Sequence, residues 1–187
     1  MIIYIHGFGS SGLGMKATIF RKQLSSNDFF APSLSYIPNL AIQTLEELIM
    51  TFNKNGIKVG LIGSSLGGYY SIYLSNKYKI KSVLINPSIN PTKTLAKSIG
   101  YAPSFYDESS FKWSKDHLEM LKEYEVKDID PSLYFLLTQT GDELLDYNMA
   151  VEKLEGAKMI IEDGGNHSFE GIEKYIKDVE KFLSINE

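Results

Sequence analysis

The chain has 187 residues, a formal net charge of −4 and no cysteine. The acidic balance argues against a nucleic-acid-binding protein, which would normally carry a basic patch or stripe. The lack of cysteine excludes disulfides, cysteine nucleophiles and Cys-type zinc sites. With 43% hydrophobic and 22% charged residues, the composition is that of a globular protein with enough apolar side chains for a sizeable core.

The amino-terminal segment is apolar but short. Residues 1–5 are apolar, no basic segment precedes them, and a polar histidine follows at once, so the pattern of a signal peptide is missing. No apolar run approaches the roughly 18 residues that a membrane-spanning helix needs. We therefore expect a cytoplasmic protein that is soluble and has no membrane or nucleic-acid partner.

Short apolar runs, well separated along the chain, predict the strands of a parallel sheet that is covered on both faces. The first run begins almost at the first residue and spans Ile2–Ile5, and residues 29–34 form a weaker candidate. The clearer later runs are residues 58–62, 81–85, 133–138 and 158–161.

Segments with helical spacing of apolar residues lie between these runs. In residues 42–52, for example, Ile42, Leu45 and Ile49 recur on one face of a helix. The other helical segments are residues 15–24, 67–78, 147–154 and 170–183. Because strands and helices alternate, we predict one α/β domain over residues 1–187, a compact doubly wound sheet of about six mostly parallel strands with right-handed crossovers.

Residues 88–131 interrupt the alternation. They separate two predicted strands, and a single crossover helix would require far fewer residues. This stretch contains three prolines, several aromatic residues and an amphipathic piece at 111–124. Loops at the carboxyl ends of the strands of an open α/β sheet surround the ligand crevice, so we expect a small cap insertion there. The alternative is a surface elaboration with no role in the chemistry.

The segment Gly63-Ser64-Ser65-Leu66-Gly67 follows a predicted strand and precedes a predicted helix. This G-x-S-x-G pattern is typical of a sharp strand-to-helix turn that projects a nucleophilic serine above the sheet, with glycine at the two positions of close approach. The five-residue match is weakly specific alone, and its strand and helix context strengthens it. A glycine-rich turn without chemistry is the alternative, whereas no phosphate-binding P-loop pattern occurs.

A nucleophilic serine requires a base, and the chain has three histidines. His167 lies in a glycine-rich loop after the last predicted strand, which is where the base of this fold follows the nucleophile and the acid. His6 precedes Ser65 and so breaks that order, and we expect it to brace its own loop. His117 lies within the insertion, where a packing role is expected.

The acid that orients the base should follow an intermediate strand. Asp142 comes just past the predicted strand at 133–138, in a glycine-containing turn that two leucines follow. We predict that it accepts the second imidazole N–H of His167. Asp146 is the second candidate, although it is also well placed to cap the helix that begins near residue 147, and Glu143 is the third.

An oxyanion hole requires two backbone donors. The N–H of Leu66, directly after the nucleophile, is one candidate. The other should come from the loop after an early strand, which here is the glycine-rich segment at residues 6–11, and we choose the N–H of Phe8. A glycine-rich turn without a ligand is the alternative interpretation.

The chain resembles the YqiA-like esterases, a group of compact bacterial α/β-hydrolases. The resemblance runs nearly end to end and depends on the order and spacing of six segments: IIYIHGFGSS, PSLSY, GLIGSSLGGYY, LINPSINP, QTGDELLDY and GGNHSF. It implies carboxylester hydrolase activity on short acyl esters, with Ser65, Asp142 and His167 as the catalytic triad. It also places Asn86 and Pro87 beside the site, without a role that the residues themselves suggest.

Three functions remain in competition at this point. The first is a serine esterase that forms an acyl-enzyme and needs no metal or organic cofactor. The second is an acyl-CoA thioesterase with the same triad, which would need a basic surface such as Lys93, Lys97, Lys112 and Lys115 for the CoA phosphates. The third is a non-catalytic ligand-binding module on a hydrolase fold, which the presence of all three triad residues disfavours.

Aromatic residues of the insertion have two possible roles. They either line an apolar pocket for the acyl group or pack the cap on the core. These residues are Tyr101, Phe105, Tyr106, Phe111 and Trp113.

Overall fold

Eight strands are present in the computed structural model, which describes residues 1–24 and 28–183. They are β1 (Ile2–Ile5), β2 (Phe29–Phe30), β3 (Gly60–Ser64), β4 (Ser82–Ile85), β5 (Gly100–Pro103), β6 (Ser110–Trp113), β7 (Tyr134–Gln139) and β8 (Lys158–Glu162). Six of them form one sheet in the order β2-β1-β3-β4-β7-β8, and every neighbouring pair is parallel. The predicted six-stranded parallel sheet is confirmed.

Helices follow the strands of this sheet. They are α1 (Met15–Gln23), α2 (Pro38–Lys54), α3 (Leu66–Tyr78), α4 (Pro91–Thr94), α5 (Lys115–Lys122), α6 (Tyr147–Lys153) and α7 (Ile176–Leu183). Short 3₁₀ turns occur at Ala96–Ser98, Pro131–Leu133 and Ile172–Tyr175. No helix in residues 1–24 and 28–183 is long and apolar enough to cross a membrane.

Both faces of the main sheet are covered, as its apolar strands require. Successive side chains of a strand point to opposite faces. In β1, Ile3 and Ile5 pack in one buried cluster with α2 and α3, whereas Ile2 and Tyr4 pack in another with α1 and α7. The doubly wound α/β class predicted from the sequence is therefore confirmed.

The strand order reverses at β1 and β3, which are neighbours as the second and third strands of the sheet. The chain leaves β1 for α1 on one face and leaves β3 for α3 on the other. Loops that diverge in this way open a crevice beyond the carboxyl ends of the strands, and ligands of open α/β sheets bind there. Ile5 pairs with Gly63 at this point, so the two loops start side by side.

The insertion at residues 88–131 contains α4, an antiparallel hairpin of β5 and β6, and α5. The sequence predicted one amphipathic piece at 111–124, but the structure divides it into strand β6 and helix α5. The division falls at Ser114, whose backbone is extended and whose N–H donates to His117 Nδ1 at 3.2 Å, so that the helix starts afresh after it.

Other boundaries differ from the sequence prediction for local reasons. The predicted strand at 29–34 ends at Phe30, and Pro32, which follows closely, has no N–H to donate to a ladder. Helix α2 is longer than predicted because it begins at Pro38, a residue suited to the first helical turn. The segment at 170–183 divides into a 3₁₀ turn and α7.

Candidate active site

Ser65 occupies a strained turn between β3 and α3. Its φ of 55° and ψ of −120° lie outside the regions that L-residues normally adopt. The flanking glycines permit the turn, because a Cβ at Gly67 would lie 2.0 Å from the Ile5 carbonyl oxygen and one at Gly63 would lie 2.2 Å from Ser71 Oγ. The close approaches that the motif implies are present at both glycines.

Ser65, His167 and Asp142 form one hydrogen-bonded chain. His167 Nε2 lies 3.1 Å from Ser65 Oγ, and His167 Nδ1 lies 2.9 Å from Asp142 Oδ2. The carboxylate side of the chain is shielded from water, since the side chain of Asp142 is 2% exposed and that of His167 is 20% exposed. An imidazole held between a hydroxyl and a carboxylate can take a proton from the hydroxyl while the carboxylate stabilises the resulting cation.

Asp142 is held in its charged form by its neighbours. Burial by itself would raise its pKa, but hydrogen bonds from His167 Nδ1 and from the N–H groups of Leu145 and Leu144 outweigh burial and lower the pKa. Both backbone bonds to Oδ1 are 2.9 Å long. The two leucines that follow Asp142 therefore fix the loop through their backbone.

The two other acid candidates bind elsewhere. Asp146 caps α6, because its Oδ1 accepts from the N–H of Asn148 at 3.0 Å. Glu143 Oε2 accepts from the backbone N–H of His167 at 2.9 Å, which lowers the pKa of Glu143. The carboxylate of Glu143 thus contacts the backbone of His167, whereas that of Asp142 contacts the imidazole ring.

Asn86 is buried at the end of β4, with 2% of its surface exposed, and it bridges two strands and the histidine loop. Its Nδ2 donates to the carbonyl oxygens of Asn166 at 3.0 Å and His167 at 3.2 Å. Its Oδ1 accepts from the N–H of Gln139 and from Thr138 Oγ1. The sequence suggested no role for Asn86, and these contacts assign it one in positioning the loop.

Gln139 is a second buried amide beside the same loop, and the sequence analysis missed it. Its Oε1 accepts from the N–H groups of Asn166 and Glu170, and its Nε2 donates to the Glu170 carbonyl oxygen and to Glu162 Oε2. The available signal was its position, since Asn86 and Gln139 are polar residues at the carboxyl ends of two apolar, adjacent strands.

Both residues chosen for the oxyanion hole line the cleft beside Ser65. Leu66 is the first residue of α3, and Phe8 lies in the loop after β1. The phenyl ring of Phe8 packs against Phe111 and Trp113 of the insertion, with ring centroids 5.3 and 4.9 Å away. The insertion thus fixes the loop that carries the Phe8 N–H.

The other two histidines have structural contacts. His6 Nε2 accepts from the N–H of Leu34 at 2.9 Å, and the ring is buried, which lowers the pKa of His6. It ties the loop after β1 to the segment after β2. His117 packs against Trp113 of the insertion and against Tyr36, which lies between β2 and α2.

A cleft of about 720 Å³ opens over Ser65 and His167. On one side it is lined by the loop after β1 and the start of α1, and on the other by the insertion, including Pro103, Phe105 and Tyr106. The insertion closes onto the β1 loop, because the Phe105 N–H donates to the Gly9 carbonyl oxygen at 2.8 Å. Of the insertion's aromatic residues, Phe105 and Tyr106 therefore line the cleft, whereas Phe111 and Trp113 pack on Phe8.

Lys16 also lines this cleft, from the first turn of α1. Its Nζ donates to the Ser168 carbonyl oxygen at 3.0 Å. Burial lowers the pKa of Lys16 to about 8, although the negative charge of Asp142 partly opposes this effect.

In the described ranges, 1–24 and 28–183, no three His, Asp or Glu side chains converge as ligands of a metal ion would.

The fold and this site define the class of protein. The solved structures that the chain resembles include a putative hydrolase from Agrobacterium vitis S4 (TM-score 0.74, 18% identity, covering 97% of this chain and 87% of that one). Another is the alpha/beta hydrolase domain-containing protein 10 from mouse (TM-score 0.73, 17% identity, 100% and 90% covered). The chain therefore has the α/β-hydrolase fold.

The family is given by sequence relatives. The uncharacterised protein family UPF0227 matches residues 1–184, and the chain belongs to this family. A UPF0227 protein of Vibrio cholerae serotype O1 is 27% identical over 186 residues, which cover 97% of this chain and 98% of the relative. A UPF0227 protein of Serratia proteamaculans is 24% identical over 189 residues, with 99% of each chain covered. The predicted membership of the YqiA-like group is confirmed.

Proposed function

We propose that this protein is a serine esterase that cleaves small acyl esters through an acyl-enzyme. The observation that carries the proposal is the hydrogen-bonded chain from Ser65 Oγ through His167 to Asp142, which opens into a cleft of about 720 Å³. Solved structures with the same fold include a monoacylglycerol lipase of Paleococcus ferrophilus (TM-score 0.67, 16% identity) and a marine microorganism esterase (TM-score 0.59, 15% identity). This likeness is consistent with the proposal.

The reaction proceeds in two halves. His167 Nε2 takes the proton of Ser65 as Oγ attacks the ester carbonyl carbon, and the N–H groups of Phe8 and Leu66 stabilise the oxyanion. The tetrahedral intermediate collapses, the C–O bond to the alcohol breaks, and the alcohol leaves with the proton from His167. Water then attacks the acyl-enzyme as His167 takes one of its protons. The acyl C–Oγ bond breaks, His167 returns the proton to Oγ, and the carboxylic acid and free Ser65 are released.

The cleft suits a small substrate with an apolar part. Its walls combine backbone donors near Ser65 with apolar side chains such as Phe105, Tyr106 and Leu144. We propose that the insertion acts as a cap that closes one side of this cleft. Of the four lysines considered for binding CoA phosphates, Lys97 lines the cleft, whereas Lys93, Lys112 and Lys115 are exposed outside its wall. Of these four lysines, only Lys97 could therefore meet a CoA phosphate within the cleft, and we propose an ester as the substrate.

The proposal is tested by labelling the protein with a fluorophosphonate probe and measuring hydrolysis of 4-nitrophenyl acetate. Ser65→Ala and His167→Ala should lose both signals. Ser110→Ala, an exposed serine in β6, is the matched control and should keep them. Normal labelling and turnover by Ser65→Ala would refute the proposal.

The acid is tested with a matched pair of amides. Asp142→Asn should lower kcat by about 10⁴, because the imidazole then lacks the carboxylate that sets its tautomer. Asp146→Asn keeps a good helix cap and should leave kcat nearly unchanged. A larger loss in Asp146→Asn than in Asp142→Asn would contradict the assignment.

A further inference from the structure

One of the two cations in the cleft wall contacts the histidine loop. Lys16 shares the cleft wall with Ser65 and His167, and its Nζ donates to the carbonyl oxygen of Ser168, the residue directly after His167. The contact joins α1 to the histidine loop across 152 positions of sequence. The mechanism proposed above does not use this ammonium group.

The ammonium retains capacity for a further partner. A lysine ammonium has three N–H donors, and the hydrogen bond described for it at Ser168 uses one. Its lowered pKa indicates that burial has removed part of its hydration. A partly desolvated cation with free donors binds a carboxylate or phosphate more strongly than a fully hydrated surface lysine does.

The other charged residues in the cleft wall are Lys97 and Glu143. Glu143 would repel an anion, but its carboxylate already accepts the His167 N–H and is thereby held at the histidine loop. Lys97 lies in the insertion and is exposed. The positive charge nearest to the histidine loop therefore belongs to Lys16.

The proton transfer indicates which part of the ester, acyl or alcohol, lies near Lys16. The leaving alcohol must receive its proton from His167 Nε2, so the alcohol part occupies the His167 side of Ser65. Lys16 is hydrogen-bonded to the residue directly after His167, and this contact points to the same side for its ammonium. An anionic group on the alcohol part is then the one that it would meet.

We propose that Lys16 is a specificity residue that binds a carboxylate or phosphate on the alcohol part of the ester. The proposal rests on the esterase function proposed above and names its substrate class. The enzyme is then selective for esters of anionic alcohols over neutral ones, with the acyl part small.

The test compares four esters as two matched pairs. In 4-acetoxybenzoate the alcohol part is anionic, and methyl 4-acetoxybenzoate is its neutral partner. In 4-nitrophenyl hydrogen adipate the charge is on the acyl part, and its methyl ester is the neutral partner. For each ester, kcat/KM is measured for wild type, Lys16→Met and the matched control Lys22→Met, an exposed lysine of the same helix. The ratio to wild type cancels the intrinsic reactivity of the ester.

Lys16→Met should lower kcat/KM for 4-acetoxybenzoate by about tenfold, the loss expected when one hydrogen bond to a charged group is removed. The other three esters should share one smaller loss, because the substitution also removes the hydrogen bond to the Ser168 carbonyl oxygen, and Lys22→Met should match wild type throughout. If Lys16→Met does not fold, Lys16→Gln, which can still donate to the Ser168 carbonyl, serves in its place.

Two outcomes would overturn the proposal. An equal loss on all four esters would mean that Lys16 only braces the histidine loop, and a loss confined to the adipate monoester would put the anion on the acyl part. Failure of the esterase function itself is distinguishable, because wild type would then hydrolyse none of the four esters faster than Ser65→Ala does.

Discussion

The serine turn and the histidine loop meet at one hydrogen bond, but different forces hold them. The Ser65 turn is fixed by backbone packing, since glycines at 63 and 67 let two strands and a helix approach within distances that no side chain permits. The histidine loop is fixed by side chains, chiefly the amides of Asn86 and Gln139. Close packing resists any added atom, whereas a polar network is sensitive to the loss of any partner.

This difference has a functional consequence. A turn fixed by its own backbone holds Ser65, the proposed nucleophile, in one position even before substrate binds. A loop held by hydrogen bonds from two strands and one lysine can be changed by substitutions far from the reacting atoms, because a displacement of about 1 Å can cost roughly 10²-fold in rate. We therefore expect the reaction rate to be more sensitive to distant substitutions around His167 than to those around Ser65.

The largest effect is expected on the serine turn. Gly67→Ala adds a Cβ 2.0 Å from the Ile5 carbonyl oxygen, so β1 or α3 must shift. We expect a loss of about 3 kcal/mol or more in the free energy of unfolding, at the upper end of overpacking effects, measured by urea denaturation. Gly56→Ala is the control, because a Cβ there meets nothing within 4 Å and only the positive φ opposes it. Equal losses in the two variants would show that packing does not hold the turn.

An intermediate effect is expected on the histidine loop. Asn86→Ala leaves the Asn166 and His167 carbonyl oxygens without this donor and removes an acceptor from Gln139. We expect kcat to fall about ten- to hundredfold with KM nearly unchanged, because the base is misplaced while the cleft wall remains.

The control for this prediction is Thr138→Val, which removes one hydroxyl donor to Asn86 Oδ1 and should lower kcat by less than about threefold. Stability is measured in parallel. If Asn86→Ala unfolds more easily but keeps a normal kcat, Asn86 stabilises the fold and does not position His167 for catalysis.

The smallest effect concerns pH. Because burial lowers the pKa of Lys16 to about 8, its ammonium loses the proton as the pH rises through that value. The preference for 4-acetoxybenzoate over its methyl ester, measured as the ratio of kcat/KM values, should fall several-fold between pH 7 and about pH 9.5. The turn around Ser65 has no ionisable side chain, so it adds no pH dependence of this kind.

Other charged groups lie on the elements around Lys16, and their contribution to the pH dependence must be distinguished from that of Lys16. They are Asp142, Glu143 and His167 on the two site loops, Lys97 in the insertion, and Glu173 and Lys174 in the 3₁₀ turn packed against α1. Their titration persists in Lys16→Met, so this variant should show a flat ratio. A ratio that falls equally in Lys16→Met would assign the pH dependence to one of these groups.

The strand and helix pattern was largely readable from the sequence, because the apolar runs and the helical spacing report which residues must be buried. The six-stranded parallel sheet followed from their alternation. The hairpin of β5 and β6 was not predicted, since each strand has only four residues, too few to mark a period, and Tyr101 of β5 is an aromatic residue that is 82% exposed. The boundary at Ser114 likewise depended on a local hydrogen bond that periodicity does not encode.

By itself, the sequence determined the parts of this protein whose signals are local: the strand-turn-helix around Ser65, the glycines that permit it, and the order of serine, acid and histidine along the chain. Only the tertiary structure decided that the ring of His167 meets Asp142 while Asp146 caps a helix, and that Asn86, Gln139 and Lys16 converge on one loop. The contacts of the His167 ring with Asp142 and of Asn86, Gln139 and Lys16 with the histidine loop join residues from 25 to 152 positions apart, and side-chain polarity alone does not specify which distant partner a buried group will find. Packing of the sheet brings the strand ends together, and that placement determines which polar groups position His167 beside Ser65.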